Sequence, residues 1–190
     1  MSRIVIIVGH AQTGTYCDAL ADAYRRGAIE AGHQTALVST ATMAFDPVLR
    51  GGYRELQPLE PDLIAARDAI RAADHMVLIF PLWLGTLPAI FKGFLERVIQ
   101  PDVFEPAKTG QFVTPWKGKS ARIVMTMGMP GFLYRWYYGA HALKMLKRHI
   151  LGFLGVRPIR STIHGAVADV SPERRARWLS DMEALGRAGR

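Results

Sequence analysis

Residues 4–17 read IVIIVGHAQTGTYC, and this stretch decides the fold class. Its first five residues are apolar and mostly β-branched, which predicts a buried strand at 4–8. The glycines and small polar residues at 9–16 predict a loop, and the amphipathic segment at 15–31 predicts a helix with a threonine at its start and Gly32 just past its end. The stretch is therefore one strand–loop–helix unit.

The same unit recurs along the chain. Short apolar runs predict strands at 34–39, 75–80, 122–126 and 157–164, and longer amphipathic segments predict helices at 61–73, 88–98, 136–154 and 172–185. This alternation indicates an α/β protein with a doubly wound sheet of five parallel strands and helices on both faces. Such a sheet binds its ligand beyond the carboxyl ends of its strands. We therefore expect function in the loops after the first, third and fourth strands, with the irregular stretches 40–60 and 101–119 lying over that crevice.

Composition narrows the class of protein. The 190 residues are 49% hydrophobic and 21% charged, which predicts one globular domain over residues 1–190. The apolar run at the start is too short for a signal peptide, no stretch is long enough to span a bilayer, and the one cysteine excludes a disulfide framework. We expect a cytoplasmic protein without an integral membrane segment. No histidine has metal-ligand spacing, so no metal site is expected.

The chain is basic, with a formal net charge of +8. This charge favours anionic ligands in general, including phosphorylated cofactors. The basic residues are spread over several segments and form no recognisable nucleic-acid module. We interpret them as solvated helix faces and expect no nucleic-acid partner.

The loop after the first strand has the chemistry of a phosphate site or of a simple helix cap. A helix start offers unpaired N–H groups to a phosphate, and Thr13 and Thr15 add hydroxyls to them. The spacing of Gly9 and Gly14 imitates a nucleotide triphosphate P-loop, but Thr15 replaces the lysine that such a loop needs. The loop also lacks the Gly-x-Gly-x-x-Gly pattern of dinucleotide-binding folds. A phosphate monoester and a capped helix without ligand both remain open.

The loop after the third strand has features that suit a flat heteroaromatic ring. It reads FPLWLGTLP over residues 80–88, so two prolines and a glycine stiffen a loop that carries the large aromatic Trp83. The segment at 127–138, after the fourth strand, is rich in Met, Phe, Leu, Trp and Tyr. This segment is typical of a core, a dimer interface or a plastic apolar pocket.

These three loops carry a resemblance to a known family. The motifs are GH at 9–10 with TYC at 15–17, FPLW at 80–83 with PAIFKGFLERV at 88–98, and TMGMPG at 126–131 with Tyr134. With them the chain resembles the flavodoxin-like NAD(P)H:quinone oxidoreductase family, which includes the ancillary flavoproteins of potassium efflux systems. The resemblance implies a flavodoxin-like fold with strand order 2-1-3-4-5.

The resemblance also implies a set of site residues. It places the phosphate-bearing tail of a flavin at the first loop and the flavin ring at the other two, which gives the cofactor-binding residues His10, Gln12, Thr15, Tyr16, Cys17, Pro81, Leu82, Trp83, Leu84, Gly85, Thr126, Met127, Gly128 and Gly131. It implies catalytic roles for Tyr134 and His141, in stabilising the reduced flavin or protonating the acceptor. Larger family members have a glutamine and an aromatic where this chain has Trp83 and Leu84. Backbone N–H groups would then replace the glutamine.

The implied activity is that of a flavin oxidoreductase. Electrons would pass from NADH or NADPH to a quinone, or to an azo or nitro compound, by a ping-pong mechanism. The chain lacks the long carboxyl extension of the larger members, which favours FMN over FAD. A flavodoxin-type electron carrier and a flavin-binding regulatory subunit of a membrane transporter are the alternatives. The apolar segment at 127–138 predicts a homodimer.

Overall fold

Five parallel strands form the centre of the molecule, whose computed structural model describes residues 1–104 and 114–190. The sheet has the order β2-β1-β3-β4-β5, with every neighbouring pair parallel. This order confirms the doubly wound sheet predicted for the chain. The strands are β1 (Arg3–Val8), β2 (Gln34–Ser39), β3 (His75–Pro81), β4 (Ser120–Thr126) and β5 (Ile159–His164).

Helices cover both faces of this sheet. They are α1 (Tyr16–Glu30), α2 (Pro61–Ala72), α3 (Ala89–Val98), α4 (Gly131–Trp136), α5 (His141–Met145) and α6 (Pro172–Arg187), with a 3-10 helix at Pro101–Phe104 and a π-helix at Leu146–Leu151. Among the described residues no helix is long and apolar enough to cross a membrane.

Alternating side chains of the strands feed two separate cores. In β1, Ile4, Ile6 and Val8 pack against α1 and α6, whereas Val5 and Ile7 pack on the opposite face, where α2, α3, α4, α5 and the π-helix lie. Every one of these five side chains is buried. Burial on both faces explains why the strand reads as a continuous apolar run and not as an alternating one.

The predicted helix at 136–154 is wrong. The structure divides this region into α4, α5 and the π-helix, with a break at Gly139 and Ala140, which have φ values of +62° and +51°. Left-handed backbone cannot continue a right-handed helix. The helix that precedes the break begins at Gly131, five residues earlier than predicted.

Two further boundaries differ from the sequence predictions. Strand β5 begins at Ile159 and not at residue 157, because Pro158 has no N–H to give to the ladder. The stretch 40–60 lies mainly along α3 and not over the crevice. The buried guanidinium of Arg97 donates to the carbonyl oxygens of Asp46 and Pro58 and forms an ion pair with Glu60 at 2.8 Å. Part of the other irregular stretch, residues 105–113, lies outside the described residues.

Candidate functional site

The loops after β1, β3 and β4 meet at one edge of the sheet. Backbone hydrogen bonds connect them, from Gly9 N–H to the Ile79 oxygen at 2.8 Å and from Leu82 N–H to the Thr126 oxygen at 2.7 Å. A third bond, from Met127 N–H to the His164 oxygen at 3.0 Å, attaches the β4 loop to β5. The three sequence motifs therefore converge, as expected from their positions after neighbouring parallel strands.

His10 links the first loop to the second. Its imidazole is buried, lies edge-on to Trp83 with ring centroids 5.1 Å apart, and accepts a hydrogen bond at Nδ1 from the Gln12 N–H at 2.9 Å. Because Nδ1 accepts, a neutral ring must carry its proton on Nε2. The Thr40 hydroxyl donates to the His10 oxygen at 2.8 Å and holds this loop against β2. His10 thus presents a hydrogen-bond donor where the loops converge.

Thr15 forms a helix cap with Asp18. The Asp18 carboxylate accepts from the Thr15 N–H and from the Thr15 hydroxyl, each at 2.7 Å, and the Asp18 N–H donates to the Thr15 oxygen at 3.4 Å. The Thr15 hydroxyl, which the resemblance assigns to a phosphate, therefore already donates its hydrogen bond to Asp18. The N–H groups of Tyr16 and Cys17, at the first two positions of α1, have no acceptor inside the helix and remain available to an anion.

Tyr16 and Cys17 point to different surroundings. The Tyr16 hydroxyl donates to the Arg175 oxygen at 3.5 Å, and the Arg175 guanidinium lies 5.7 Å from the centre of the Tyr16 ring. Cys17 is buried, with Sγ 3.5 Å from the Thr126 hydroxyl, and burial raises the pKa of its thiol to about 11. The thiol stays protonated near neutral pH, so it packs beneath the site and is not a nucleophile.

The second loop closes in a two-residue turn. Trp83 and Thr86 exchange backbone hydrogen bonds at 2.9 Å in both directions, and the residues between them, Leu84 and Gly85, have φ values of +47° and +79°. Leu84 is strained there because it carries a Cβ. The N–H groups of Leu84 and Gly85 have no acceptor within the described part of the chain. The turn therefore presents two backbone donors and one fully exposed leucine.

The third loop is held from the side of β5. Ala166 N–H donates to the Met129 oxygen at 2.9 Å, and Val167 N–H donates to the Met127 oxygen at 3.1 Å. Within the described residues the N–H of Gly128 has no acceptor, and a methyl group added to Gly128 would meet no atom within 4 Å. Gly131 begins α4 against Ile163. The loop is thus rigid where β5 supports it and open at Gly128.

A cavity of about 410 Å³ opens between the second and third loops. It is lined by Leu82, Leu84, Gly85, Met129, Tyr134, Tyr138 and His141. The lining combines apolar side chains with two phenols and one imidazole. This composition suits a flat, mostly apolar molecule with a few polar atoms at its edge.

Tyr134 occupies a different position from the one expected. The catalytic role that the resemblance implies requires its phenol to face the crevice and not the core, but the side chain is 2% exposed and its oxygen accepts from the Leu143 N–H at 3.2 Å. Residue 134 lies on the inner side of α4, opposite the exposed Phe132 and Trp136. Burial raises the pKa of Tyr134, and the N–H groups of Leu143 and Ala142 oppose that rise. Tyr134 therefore belongs to the core and also borders the cavity, beside the exposed His141.

The sequence analysis missed three residues of this region. Tyr138 and Met129 line the cavity, and Asp18 closes the cap on Thr15. Asp18 has a local signal, because a threonine followed three residues later by an acid is close to a capping box. The sequence signal for Tyr138 is weaker: the neighbouring Gly139 indicates that a helix is interrupted there.

A second cavity, of about 390 Å³, lies between α3 and the π-helix. We call it the α3 groove, and its apolar lining includes Leu95, Ile99, Phe104, Ile150 and Phe153. Lys92 and Glu96, four residues apart on α3, form an ion pair at its edge. Among the described residues no three His, Cys, Asp or Glu side chains are grouped as metal ligands.

Comparison with known families decides the classification. A family model described as "Flavodoxin-like fold" matches residues 2–185. The chain belongs to this flavodoxin-like fold family. The match covers all five strands and the three loops of the site, so the family assignment includes the region where the ligand is expected.

Two curated relatives of this flavodoxin-like protein are named as NAD(P)H oxidoreductases. The chain is 23% identical over 203 residues to NAD(P)H dehydrogenase [quinone] 1 of Rattus norvegicus, covering 93% of this chain and 73% of that protein. It is 27% identical over 133 residues to an uncharacterized NAD(P)H oxidoreductase of Haemophilus influenzae, covering 67% of this chain and 65% of that protein.

Solved structures share the flavodoxin-like fold over nearly the whole chain. Smu.1420 from Streptococcus mutans UA159 has a TM-score of 0.78 at 26% identity, covering 97% of this chain and 98% of that one. NAD(P)H:quinone oxidoreductase from Methanothermobacter marburgensis has a TM-score of 0.74 at 21% identity, covering 97% and 94%. An FMN-dependent NADH-azoreductase from Bacillus anthracis, solved in complex with FMN, has a TM-score of 0.69 at 17% identity and covers 99% of each chain.

Proposed function

We propose that this protein is an NAD(P)H oxidoreductase that binds FMN and transfers electrons from NADH or NADPH to a quinone or a similar small aromatic acceptor by a ping-pong mechanism. One observation carries the proposal. Three loops that present free backbone N–H groups converge at the carboxyl ends of β1, β3 and β4, beside a cavity lined by Tyr134, Tyr138 and His141. This edge is where doubly wound sheets bind cofactors.

The first loop fits the phosphate end of FMN. The N–H groups of Tyr16 and Cys17, the positive end of the α1 dipole and the Nε2 proton of His10 form a donor set for an anion. A methyl group added to Gly14 would meet no described atom within 4 Å, so the loop leaves room above it. Asp18 is the one residue of this loop region that does not suit a phosphate, because its carboxylate adds negative charge to the first turn of α1.

The second and third loops fit a flavin ring. The N–H groups of Leu84, Gly85 and Gly128, which have no acceptor within the described residues, lie in loops at one edge of the sheet, and the ring oxygens and nitrogens of a flavin need such donors. When bound, the flavin would accept two electrons from a reduced nicotinamide and return them to the acceptor. The names of the relatives, which include an NAD(P)H dehydrogenase [quinone] and an FMN-dependent NADH-azoreductase, support this choice of cofactor and substrates.

The cavity side chains would position the acceptor and supply a proton. The Tyr134 oxygen accepts from a backbone N–H, so its own proton remains free to be donated. His141 begins α5 at the border of the cavity and is exposed, so it can exchange a proton with solvent. Leu82, Met129 and Tyr138 would hold an aromatic acceptor by apolar contact. We also propose a cytoplasmic location, supported by the single buried cysteine, which leaves no disulfide within the chain.

Reconstitution with flavin tests the cofactor. We expect the purified protein to be yellow or to take up one FMN per chain, and to bind FAD more weakly. Absorbance after gel filtration measures the flavin that remains bound. A protein that retains neither FMN nor FAD would exclude the proposal.

Steady-state assays test the reaction. We expect NADH or NADPH oxidation that depends on a quinone, azo dye or nitroaromatic, with parallel double-reciprocal lines as the ping-pong mechanism requires. A flavodoxin-type carrier or a purely regulatory flavoprotein would hold the flavin and yet show no such turnover. Intersecting lines would exclude the ping-pong order but not the activity.

Two variants of the first turn of α1 test the phosphate position. Thr15→Glu should weaken FMN binding, and Asp18→Asn should strengthen it by a factor of about five, because a negative charge at a helix start repels a phosphate there. Asp22→Asn is the matched control, with the same change of charge one exposed turn later. Fluorescence titration measures the affinities. Equal affinities in all four proteins would place the phosphate elsewhere.

A further inference from the structure

The amino ends of β4 and β5 form a basic region, at the edge of the sheet opposite the candidate site. The cations on or next to these two strand ends are Lys117, Lys119, Arg122, Arg157 and Arg160. Residues 114–168, which contain both strands, include no Asp or Glu. Arg190, after α6, adds a charge that acts on Arg122. An anion would therefore be attracted to this region.

One of these cations, Arg122, is buried. It is 7% exposed and lies on the face of β4 that α1 and α6 cover, two residues before Val124 in the same core. Its Nη1 donates to the Thr162 hydroxyl on β5 at 2.8 Å, whereas its Nε is buried without a partner among the described residues. Within those residues Arg122 forms no ion pair. A neutral hydroxyl is thus the partner of a buried charge.

Arg97 shows how the same protein compensates a buried guanidinium elsewhere. Its charge forms an ion pair with Glu60 at 2.8 Å, and it also donates to two backbone oxygens. A buried charge is costly unless it is paired and hydrogen-bonded. Arg122 has neither the carboxylate nor the carbonyl oxygens that Arg97 has, so its charge still needs a counter-ion.

The neighbours of Arg122 increase this need. Arg160 is paired with Arg122 in the register of β4 and β5, and it is exposed, as is Arg190. Burial is the largest cause that lowers the pKa of Arg122, the Tyr24 phenol opposes it, and the charges of Arg160 and Arg190 lower it further. Because like charges repel, one anion would stabilise all three guanidinium groups together.

Two more buried polar groups near Arg122 have an unpartnered atom. The Tyr24 hydroxyl is fully buried and has no partner among the described residues. His75 is 2% exposed, with Nδ1 2.7 Å from the Ser120 hydroxyl and Nε2 without a partner in the same part of the chain. After burial, the charge of Arg122 is the next cause that lowers the pKa of His75, and it opposes the rise that burial produces in the pKa of Tyr24. Unpartnered buried polar groups that cluster in this way are one mark of a place where an ion binds.

The chemistry of these groups selects the ion. Guanidinium groups bind phosphate and carboxylate oxygens by paired N–H bonds. A phosphate group carries a charge of about −1.5 to −2 near pH 7, which offsets several guanidinium groups better than the single charge of a carboxylate does. A water molecule would accept a hydrogen bond but offset no charge. A phosphate group therefore matches this region best.

We propose that Arg122, Arg160 and Arg190 bind a phosphate group at the amino edge of the sheet, beside Thr162. The exposed Arg160 and Arg190 attract the anion, and the buried Arg122 holds it. Binding stabilises the folded protein, because the anion offsets a buried charge that the unfolded chain exposes to water. The site lies at the edge of the sheet opposite the one proposed for FMN and does not depend on the proposed reaction.

NMR signals from the site itself test the proposal with the whole chain. We expect the Arg122 Nε–H and His75 ring signals to shift saturably when inorganic phosphate is added in the millimolar range at constant pH and ionic strength. Sulfate should do the same, and chloride at the same ionic strength should not. Because both groups lie at the amino edge, phosphate bound at the loop after β1 would leave these signals in place. The absence of a saturable shift with phosphate and with sulfate would overturn the proposal.

Three arginine variants locate the anion, with the His75 ring as the reporter. Arg122→Gln should lower the phosphate affinity at least about tenfold, in line with the loss of a charge-assisted hydrogen bond. Arg160→Gln should lower it about threefold, since its charge is more exposed to solvent. This second variant tests the site even if Arg122→Gln does not fold. Arg148→Gln is the matched control, an exposed arginine without an ion pair in the described residues, on the helix that packs on the opposite face of the sheet.

The control should keep the wild-type affinity for phosphate. Equal weakening by Arg160→Gln and Arg148→Gln would mean that only net charge matters and would overturn the assignment to this region. Unchanged affinity in a folded Arg122→Gln variant would overturn it as well.

Thr15→Glu separates this site from the one proposed for FMN. The variant should weaken FMN binding and yet leave the response of the His75 signal to phosphate intact. Loss of that response in Thr15→Glu would assign the anion to the loop after β1 and overturn the second site. A failure of FMN to bind, with the response retained, would contradict only the proposed function.

A phosphate monoester identifies the source of the phosphate group. Adenosine monophosphate and inorganic phosphate share the same anionic end. Similar affinities, read at His75, would show that the site accepts the phosphate of a larger molecule. A response to inorganic phosphate alone would show that it binds the free anion. Both results support a phosphate site, and no response to either compound would overturn it.

Discussion

At the scale of a single residue, a variant of Tyr134 can distinguish a catalytic role from a structural one. Its hydroxyl accepts from the Leu143 N–H, and the residue also borders the cavity. Tyr134→Phe should bind FMN normally and turn over about 10 to 100 times more slowly, in line with the loss of one transition-state hydrogen bond. The same variant should be less stable by about 1 kcal/mol, because the Leu143 N–H loses its acceptor.

Steady-state kinetics well below the melting temperature, together with a thermal melt, measure both effects. Full turnover with a lowered melting temperature would show that Tyr134 is a core residue alone. Unchanged stability would contradict the hydrogen bond to Leu143.

Two buried histidines predict how stability depends on pH. Burial is the main cause that lowers the pKa of His75 and of His164, each to about 4, and His164 has no hydrogen-bond partner at either ring nitrogen among the described residues. An unfolded chain protonates histidine near pH 6.5, so between about pH 6.5 and pH 4 the unfolded state binds more protons. Stability should be full above this window and fall as the pH drops through it, by on the order of 3 kcal/mol per histidine.

His164→Leu should remove the part of this loss of stability that the burial of His164 causes. We expect the variant to lose less free energy of unfolding between about pH 7 and pH 5 than the wild type. His149→Leu, at an exposed position, is the control and should follow the wild type. Urea denaturation at both pH values measures the difference. Parallel losses in all three proteins would show that His164 is not buried in its neutral form.

At the scale of the secondary-structure element, the break between α4 and α5 predicts that a substitution of Gly139 lowers stability. Gly139→Ala would place a Cβ at a φ of +62°, 2.9 Å from the Nε2 atom of His141. The left-handed backbone should cost about 1 to 2 kcal/mol of stability. Because the imidazole end of His141 can move, the close contact should displace that ring and add little to the cost.

Gly52→Ala is the matched control for this variant. Gly52 has a φ of +58°, and a methyl group there would meet no described atom within 4 Å. Both variants should lose similar stability in thermal melts, but only Gly139→Ala should shift the NMR signals of the His141 ring. A stable Gly139→Ala variant would mean that residues 136–154 form the single helix predicted from the sequence.

At the scale of the whole molecule, we predict a homodimer. The prediction rests on the apolar segment at 127–138, in which Phe132, Trp136 and Tyr137 are 69%, 87% and 77% exposed. Light scattering at micromolar concentration should give twice the chain mass of 21.1 kDa. Trp136→Glu, at an exposed position of this segment, should shift the protein towards the monomer. A monomeric wild-type protein would contradict the prediction.

The sequence alone determined the five strands, most of the helices and the edge of the sheet at which the three loops meet. A buried parallel strand such as β1 is a continuous apolar run, and its helix begins and ends at local caps, so neighbouring residues contain the information. The carboxyl ends of parallel strands share one edge, which located the three loops without coordinates. Helical spacing likewise brings Lys92 and Glu96, four residues apart on α3, within reach of an ion pair.

Only the tertiary structure decided which side chains meet and which are already engaged. The burial of Tyr134 depends on a helix break five residues away, and Leu143, nine residues away, satisfies its hydroxyl. The stretch 40–60 lies along α3, where the buried guanidinium of Arg97, distant in sequence, donates to the Pro58 oxygen and forms an ion pair with Glu60. The periodicity of a sequence shows how a residue relates to its neighbours on the same helix or strand. The positions of Tyr134 and of the stretch 40–60 depend instead on packing between elements and on the pairing of buried polar groups. Local sequence patterns do not encode either of these.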